Sequence, residues 1–516
     1  MATPMEVLPA NFRVSSPTVA LFVGALFAFA AICTLGTAIY NLYFHPLAHI
    51  PGPILSRASR LPYTLCMRNG TIIPYVRKLH EQYGDVVRVA PGEVSFISGE
   101  TAWQDIYGFR TGKNKTGAYL KDRTWFPLPV NGTYSIIAAD EATHSRMRRN
   151  LSHAFSDKAL RDQESLIQGL VDLLVHRLHE QVQEKVPAVD IMRWYNYTTF
   201  DVITDLTFGE PLYCLRDKDY HPWVNAVFAS VKAVGLIAAR RKYPMFDYYD
   251  RVKGIFTDTS AAIRKREEFF ALVSSKVGNR LEKGSDRPDF ISQIVKNDGI
   301  SEKAMSRDEM DSNSIILMLA GSETTATLLS GTTYLLLANP DKYKKLVAEI
   351  RGKFQKMADI NVEEVNKMEY LIACLQEGLR YYPPVPTGFP RVVPKGGDTI
   401  SGHYIPEGMA VYMSQHAANH STRNWTDPDA YVPERWMGDE RYKNDNQASM
   451  NAFSFGPRNC LGKNLAYAEM RLILAKVLFN FDLELTDVSK NWMEGQKVFT
   501  LWEKPSLMVK LHPVQR

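Results

Sequence analysis

The run Phe453-Ser454-Phe455-Gly456-Pro457-Arg458-Asn459-Cys460-Leu461-Gly462 sets one cysteine, one arginine and two glycines at fixed spacing. A thiolate is a strong ligand for a soft metal centre, and nearby positive charge or a helix N-terminus favours it over the thiol. Leu461 reads as the first residue of a helix, which would aim backbone N–H groups at the Cys460 sulfur. Gly456 and Gly462 have no side chain, so the backbone there can lie close against a flat cofactor. Arg458 can offer charge-assisted hydrogen bonds to an acidic group on that cofactor. An inert buried thiol is the plain alternative, since free cysteine is commonly buried.

Three other groupings stand out. His144 and Arg148 lie four apart on a helical pattern and so share a face. Glu377 and Arg380 do the same at a spacing of three. The long pattern Arg307–Ala338 contains Ala320-Gly321-Ser322-Glu323-Thr324-Thr325 directly after the apolar run Ile315–Leu319. An acid beside a hydroxyl is out of place in a purely structural core helix, and such local conflicts mark function. Gly321 costs about 1 kcal/mol in a helix interior, and it removes bulk where a small reactant such as O₂ would sit. A kinked helix with a capping threonine is the alternative.

The window Phe453–Gly462 reads FxxGxRxCxG and resembles the haem-binding loop of the cytochrome P450 family, the haem-thiolate monooxygenases. The resemblance runs from about Tyr40 to the C-terminus and is nearest to fungal microsomal members of secondary metabolism. It implies haem b with Cys460 as the iron ligand, a thiolate that favours O–O cleavage. Phe453, Gly456 and Arg458 match the loop. His144, where the family usually has tryptophan, Arg148 and Arg391 in Phe389–Pro394 match positions that hold haem propionates. Glu377, Arg380 and Arg435, the last within Asp429–Trp436, match a buried ion network behind the haem. Glu323 and Thr324 match the family's catalytic acid–threonine pair, which supplies protons by way of water during oxygen reduction.

The same resemblance places substrate contacts in Gly112–Tyr134, Trp223–Tyr243, Leu317–Thr324 and Val385–Phe389. Tyr119, Trp125, Phe126 and Tyr134 are the aromatic candidates in the first. The triplet Arg240-Arg241-Lys242 reads as a solvated or membrane-facing turn. The implied activity is insertion of one oxygen atom from O₂ into a lipophilic small molecule, in mycotoxin, terpenoid or polyketide biosynthesis. Electrons would come from NADPH through a separate flavoprotein reductase, with cytochrome b5 as an optional further donor, since no flavin or dinucleotide fingerprint is present. Two rivals are a reductase-independent haem-thiolate isomerase or dehydratase, and a membrane haem-binding receptor without catalysis. An intact Glu323-Thr324 speaks against both.

The elements that must position these residues fill 516 residues, of which 45% are hydrophobic and 23% charged, an ordinary globular balance. The net charge of +5 gives no reason to expect nucleic-acid binding. Five scattered cysteines without a CxxC pair argue against a disulfide framework or structural zinc. Helical periodicity dominates, with short strand-like pieces, so the expected fold is mainly α with small β-sheets. Helical patterns include Trp223–Arg241, Asp250–Leu281 and Leu461–Phe479.

No acidic or basic residue occurs from Val14 to Phe44. That run is long enough for a bilayer core of about 30 Å. The reading is residues 1–17 as a short N-terminal segment, 18–40 as a transmembrane signal anchor and 41–55 as a Pro/Gly hinge. Residues 56–516 then form the catalytic domain. Arg57, Arg60 and Arg68 favour a cytosolic side for that domain, giving a single-pass protein of the endoplasmic reticulum membrane.

Overall fold

The computed structural model describes residues 16–110, 117–126, 128–255, 260–284, 287–296 and 304–515. Helix α1, Ser16–Ile39, carries no charged residue and exposes its side chains from Leu21 onward. The stretch Leu21–Phe44 has a mean hydropathy of 2.1, compatible with a single membrane anchor.

The segment after α1 does not swing free. The Arg88 guanidinium, wholly buried, donates to the Asn41 carbonyl at 2.8 Å, and Arg57 donates to the carbonyls of Leu42 and Ala48. Asn41 in turn donates to the Ala58 carbonyl at 2.9 Å. At Gly52 a Cβ would come within 2.4 Å of the Arg88 oxygen, so glycine is what allows the Pro-Gly-Pro run to lie on the next strand.

A mixed five-stranded sheet lies next to this segment. It contains β1 (Val86–Ala90), β2 (Glu93–Phe96), β3 (Leu120–Lys121), β4 (Arg391–Val392) and β5 (Ala410–Met413), in the order β1-β2-β5-β4-β3. Only β2 and β5 run parallel, with Glu93 opposite Ala410. Lys121 pairs with Arg391, which in turn pairs with Val411.

The helical body is built from α2 (Glu141–Ser152), α3 (Asp157–Gln183), α4 (Ile191–Phe208), α5 (Pro222–Lys242), α6 (Arg307–Ala338), α7 (Glu369–Tyr381) and α8 (Lys463–Asn480). Ser306 starts α6 with a capping box: its hydroxyl accepts from Glu309 N at 3.2 Å, and the Glu309 carboxylate accepts from Ser306 N at 2.9 Å. Helix α4 is buried on nearly every side. Its threonines satisfy themselves there by donating back one turn, Thr198 to Trp194 O at 2.8 Å and Thr204 to Phe200 O at 2.6 Å.

Helices α4 and α6 pack closely because Gly321 has no side chain. A Cβ there would meet Ile203 Cδ1 at 2.6 Å. Gly321 thus lets Ile203 close against α6, and both residues line the cavity described below.

Helices Pro244–Ile255 and Ser260–Glu282 cover the pattern Asp250–Leu281 apart from residues 256–259, which lie outside the described residues. Two readings change. The helix after the cysteine begins at Lys463, two residues beyond Leu461, with Gly462 as its N-cap. The end of the basic triplet is not solvated: Lys242 is buried and bridges Glu93 at 2.7 Å and Asp122 at 2.9 Å. Burial next to two carboxylates holds the lysine inside; a turn of three cations in sequence does not reveal such partners.

Candidate active site

Between α6 and the Phe453–Gly462 loop lies a cavity of about 310 Å³. This is near the lower end of the range for small-molecule and cofactor sites, ~300–1,000 Å³. Cys460 is open to this cavity yet deep within the fold. Its N–H donates to the Phe453 carbonyl at 2.8 Å, closing the loop on itself. Burial pushes the thiol pKa up, while a Gly462 backbone hydrogen bond, Arg148 and Lys463 pull the other way. Gly456 sits at φ +71°, and a Cβ there would come within 1.9 Å of the Tyr107 oxygen, so only glycine fits. The Phe453 ring lines the cavity and packs on Tyr467 with centroids 5.0 Å apart.

His144, Arg148, Arg391 and Arg458 all line this cavity, and Lys121 joins them. Among the described residues none of the five forms an ion pair with a carboxylate. Arg148 donates to both the backbone and side-chain oxygens of Asn459 at 2.6 Å, clamping the residue before the cysteine. Arg458 donates to the Ala139 carbonyl at 2.9 Å. The Nε of Arg391 is buried with no partner among the described residues. Burial pulls its pKa down to about 10. Burial, then Arg391 and Arg458, hold the Lys121 ammonium well below its ordinary value. His144 is lowered to about 3 by burial and by Arg458, Arg148, Lys121 and Arg391, so it is a neutral donor at physiological pH. A cluster of this kind needs an anion of more than one negative charge.

The opposite wall belongs to α6. Ala320, Gly321, Thr324 and Thr325 face the cavity, and the Thr324 hydroxyl donates to the Ala320 carbonyl at 2.6 Å. Glu323 does not line it. Its carboxylate turns to the other side of the helix, where it pairs with Lys504. Glu323 and Thr324 are neighbours in sequence, and neighbouring positions on a helix point about 100° apart.

Behind the cavity, Glu377 of α7 accepts from Arg380 Nε and Nη2 at 2.9 and 2.8 Å, Val432 N at 2.9 Å, Arg435 Nε at 3.1 Å and Trp436 Nε1 at 2.9 Å. Arg380 adds the carbonyls of Asn419, Pro428 and Ala430. Arg435 also pairs with Asp445. All three charged groups are wholly buried and fully engaged, the condition under which an internal ion network holds.

Of the four expected substrate regions, three contribute to the wall: Lys121 from Gly112–Tyr134, Leu317, Ala320, Gly321 and Thr324 from Leu317–Thr324, and Val385, Thr387, Gly388 and Phe389 from Val385–Phe389. No residue of Trp223–Tyr243 lines the cavity. Tyr119, Trp125 and Phe126 are buried in the core beside the five-stranded sheet, with Tyr134 packed against it. Residues 111–116 and 127 lie outside the described residues. Sequence reasoning missed Lys121, which stood unnoticed among aromatic neighbours. It also missed Glu469 of α8, whose carboxyl lines the cavity and is pushed well above the carboxylate range by burial alone. The one available signal was its place in the apolar helix that follows the loop.

The family model described as Cytochrome P450 matches residues 61–511. The chain is 50% identical to the cytochrome P450 monooxygenase lcsI of Purpureocillium lilacinum over 495 residues, 96% of this chain and 94% of the relative. It is 45% identical to the cytochrome P450 monooxygenase traB of Penicillium crustosum over 511 residues, 98% and 100% of the two chains. It is 42% identical to the averantin hydroxylase of Dothistroma septosporum over 504 residues, 97% and 93%.

Proposed function

The chain belongs to the cytochrome P450 family, and we propose that it inserts one oxygen atom from O₂ into a lipophilic small molecule of fungal secondary metabolism. The observation that carries this reading is the cavity itself, with Cys460 on one wall, Thr324 on the other and five nitrogen-bearing side chains without an acid between them. The residues fit a haem. Cys460 would be its thiolate ligand, and Lys121, His144, Arg148, Arg391 and Arg458 form the electropositive end that suits two propionates. When bound, the haem supplies the oxygen-activating chemistry, which a thiolate ligand promotes.

The chain's own part is to hold, orient and supply protons. Gly456 brings the loop against Tyr107, and Arg148 fixes Asn459, so the Cys460 backbone is rigid before any ligand arrives. The Thr324 hydroxyl stands at the cavity wall and can order water there. Glu323, on the far face of the same turn, is the acid from which protons reach that water. Ile136, Ile203, Leu317, Val385 and Phe389 give the wall an apolar stretch, and this suits a hydrophobic substrate.

Electrons come from NADPH through a separate flavoprotein reductase. Helix α1 holds the protein in the endoplasmic reticulum membrane as a single-pass anchor, residues 41–55 form the hinge and residues 56–516 the cytosolic catalytic domain. The averantin hydroxylase relative, which by its name hydroxylates averantin, supports hydroxylation as one instance of the proposed chemistry.

The test is spectroscopic and metabolic. Cys460→Ser should abolish the thiolate-type carbon monoxide spectrum of the reduced protein; a normal spectrum in that variant would remove the ligand assignment. Thr324→Ala should keep the spectrum and divert reducing equivalents to hydrogen peroxide. Product yield equal to wild type, with no added peroxide, would count against the monooxygenase mechanism. Disruption of the gene should accumulate a precursor lacking one oxygen atom.

A further inference from the structure

Lys504 and Glu323 form an ion pair inside the protein, their side chains 4% and 6% exposed. Lys504 Nζ also donates to Thr327 Oγ1 at 2.8 Å, one turn further along α6. The other carboxylate oxygen of Glu323, Oε2, is buried with no partner among the described residues. The acid is thus held away from the wall on which its neighbour Thr324 stands.

Lys504 directly follows a small hairpin of β6 (Lys497–Val498) and β7 (Trp502–Glu503). Helix α5 grips this hairpin on one side. Lys232 Nζ pairs with Glu503 at 2.6 Å, and a Cβ on Gly235 would come within 2.6 Å of the Phe499 oxygen. On the other side Trp502 stacks on Tyr382 with centroids 4.7 Å apart and donates to the Pro383 carbonyl at 2.8 Å. Pro384 and Val385, next in sequence, are cavity wall. The turn between the strands is strained: Thr500 has φ +109°, and its hydroxyl is buried with no partner among the described residues. A non-glycine residue in such a conformation is strained, and this strain is common at switch regions.

We propose that Lys504 is a positioning residue that latches Glu323 off the cavity, and that displacement of the hairpin by a bound substrate releases the carboxylate toward Thr324. The inference rests on Glu323 and Thr324 being the proton supply. Once released, Glu323 takes a proton from solvent water and passes it to water at the Thr324 hydroxyl, which restores the carboxylate. The latch keeps that supply closed while the cavity lacks substrate.

The test uses the haem-loaded protein with flavoprotein reductase and NADPH, and no substrate. In that state one NADPH and one proton reduce one O₂ to one hydrogen peroxide, leaving NADP⁺. Lys504→Met should raise peroxide formation about 5-fold or more, the scale of a typical coupling between sites. Lys504→Arg should stay near wild type. In the infrared, the carboxylate band identified by the Glu323→Gln difference should shift in Lys504→Met, as the carboxylate loses its ammonium partner. If that variant does not retain haem, Lys504→Gln, which keeps N–H donors without the charge, should show the same rise. Wild-type peroxide in the neutral variants, or an equal rise in Lys504→Arg, overturns the latch. The double variant Glu323→Gln with Lys504→Met should return to the wild-type rate. If it leaks as much as Lys504→Met alone, Glu323 is not the proton source, and the proton-supply reading fails rather than the geometry of the latch.

Discussion

Arg391 concentrates the tension in this site into one side chain. It is 4% exposed, has an unpartnered Nε and lies beside Lys121 and Arg458. An unpaired buried cation costs stability unless an anion neutralises it. Arg391→Met should therefore have opposite effects on two observables. Haem content of the purified protein should fall, while the melting temperature of the haem-free protein should hold or rise. A fall in both would mean that Arg391 supports the fold rather than the ligand. His80 offers a second test, on pH. It is buried, its ring nitrogens meet the Gly84 carbonyl and the Ser95 hydroxyl at 2.8 Å, and burial lowers its pKa from 6.5 to about 4. The unfolded chain therefore takes up the proton first as pH falls. Stability from this group is complete above about pH 6.5 and is lost as pH drops towards 4, by about 3 kcal/mol. Urea melts of wild type and His80→Gln should show this extra slope in wild type alone.

At the level of elements, the ion network of α7 and the lysine at the end of α5 make comparable demands. Glu377→Ala leaves Arg380 and Arg435 buried without their shared acid, a loss of about 3–5 kcal/mol. The expected outcome is protein that fails to accumulate with haem, measured by the ratio of haem absorbance to protein. Lys242→Met strands Asp122 beside Glu93, although Glu93 keeps Arg60. Hydrogen exchange should accelerate at the C-terminal end of α5 and around β3, and remain unchanged in α8. The contrast shows what sequence reveals and what it hides. Glu377 and Arg380 are three apart on one helix, so their pairing was legible; Asp445, Trp436 and the carbonyls that complete the network come from a distant loop and were not. Lys242 looked like a surface cation because its partners are more than a hundred residues away.

For the whole molecule, the helical architecture and the cavity-forming loop were readable because local patterns repeat over long windows. The direction of Glu323, the identity of the cavity wall and the place of Lys121 were not, since each depends on how elements are docked. Removal of α1 tests the membrane assignment. A chain beginning after Ile39 should leave the membrane pellet and keep its thiolate-type carbon monoxide spectrum, whereas continued sedimentation with membranes would locate a second attachment on the domain.

The grip of Arg88 and Arg57 on the residues just beyond α1 makes the anchor a crank rather than a leash. A helix rises about 1.5 Å and advances about 100° per residue, so one residue inserted between α1 and Asn41 would turn and shift the whole apolar helix by that amount against everything that follows. The direction in which α1 leaves the body of the protein is thus built into the fold, and a domain with a free tether would have no such memory.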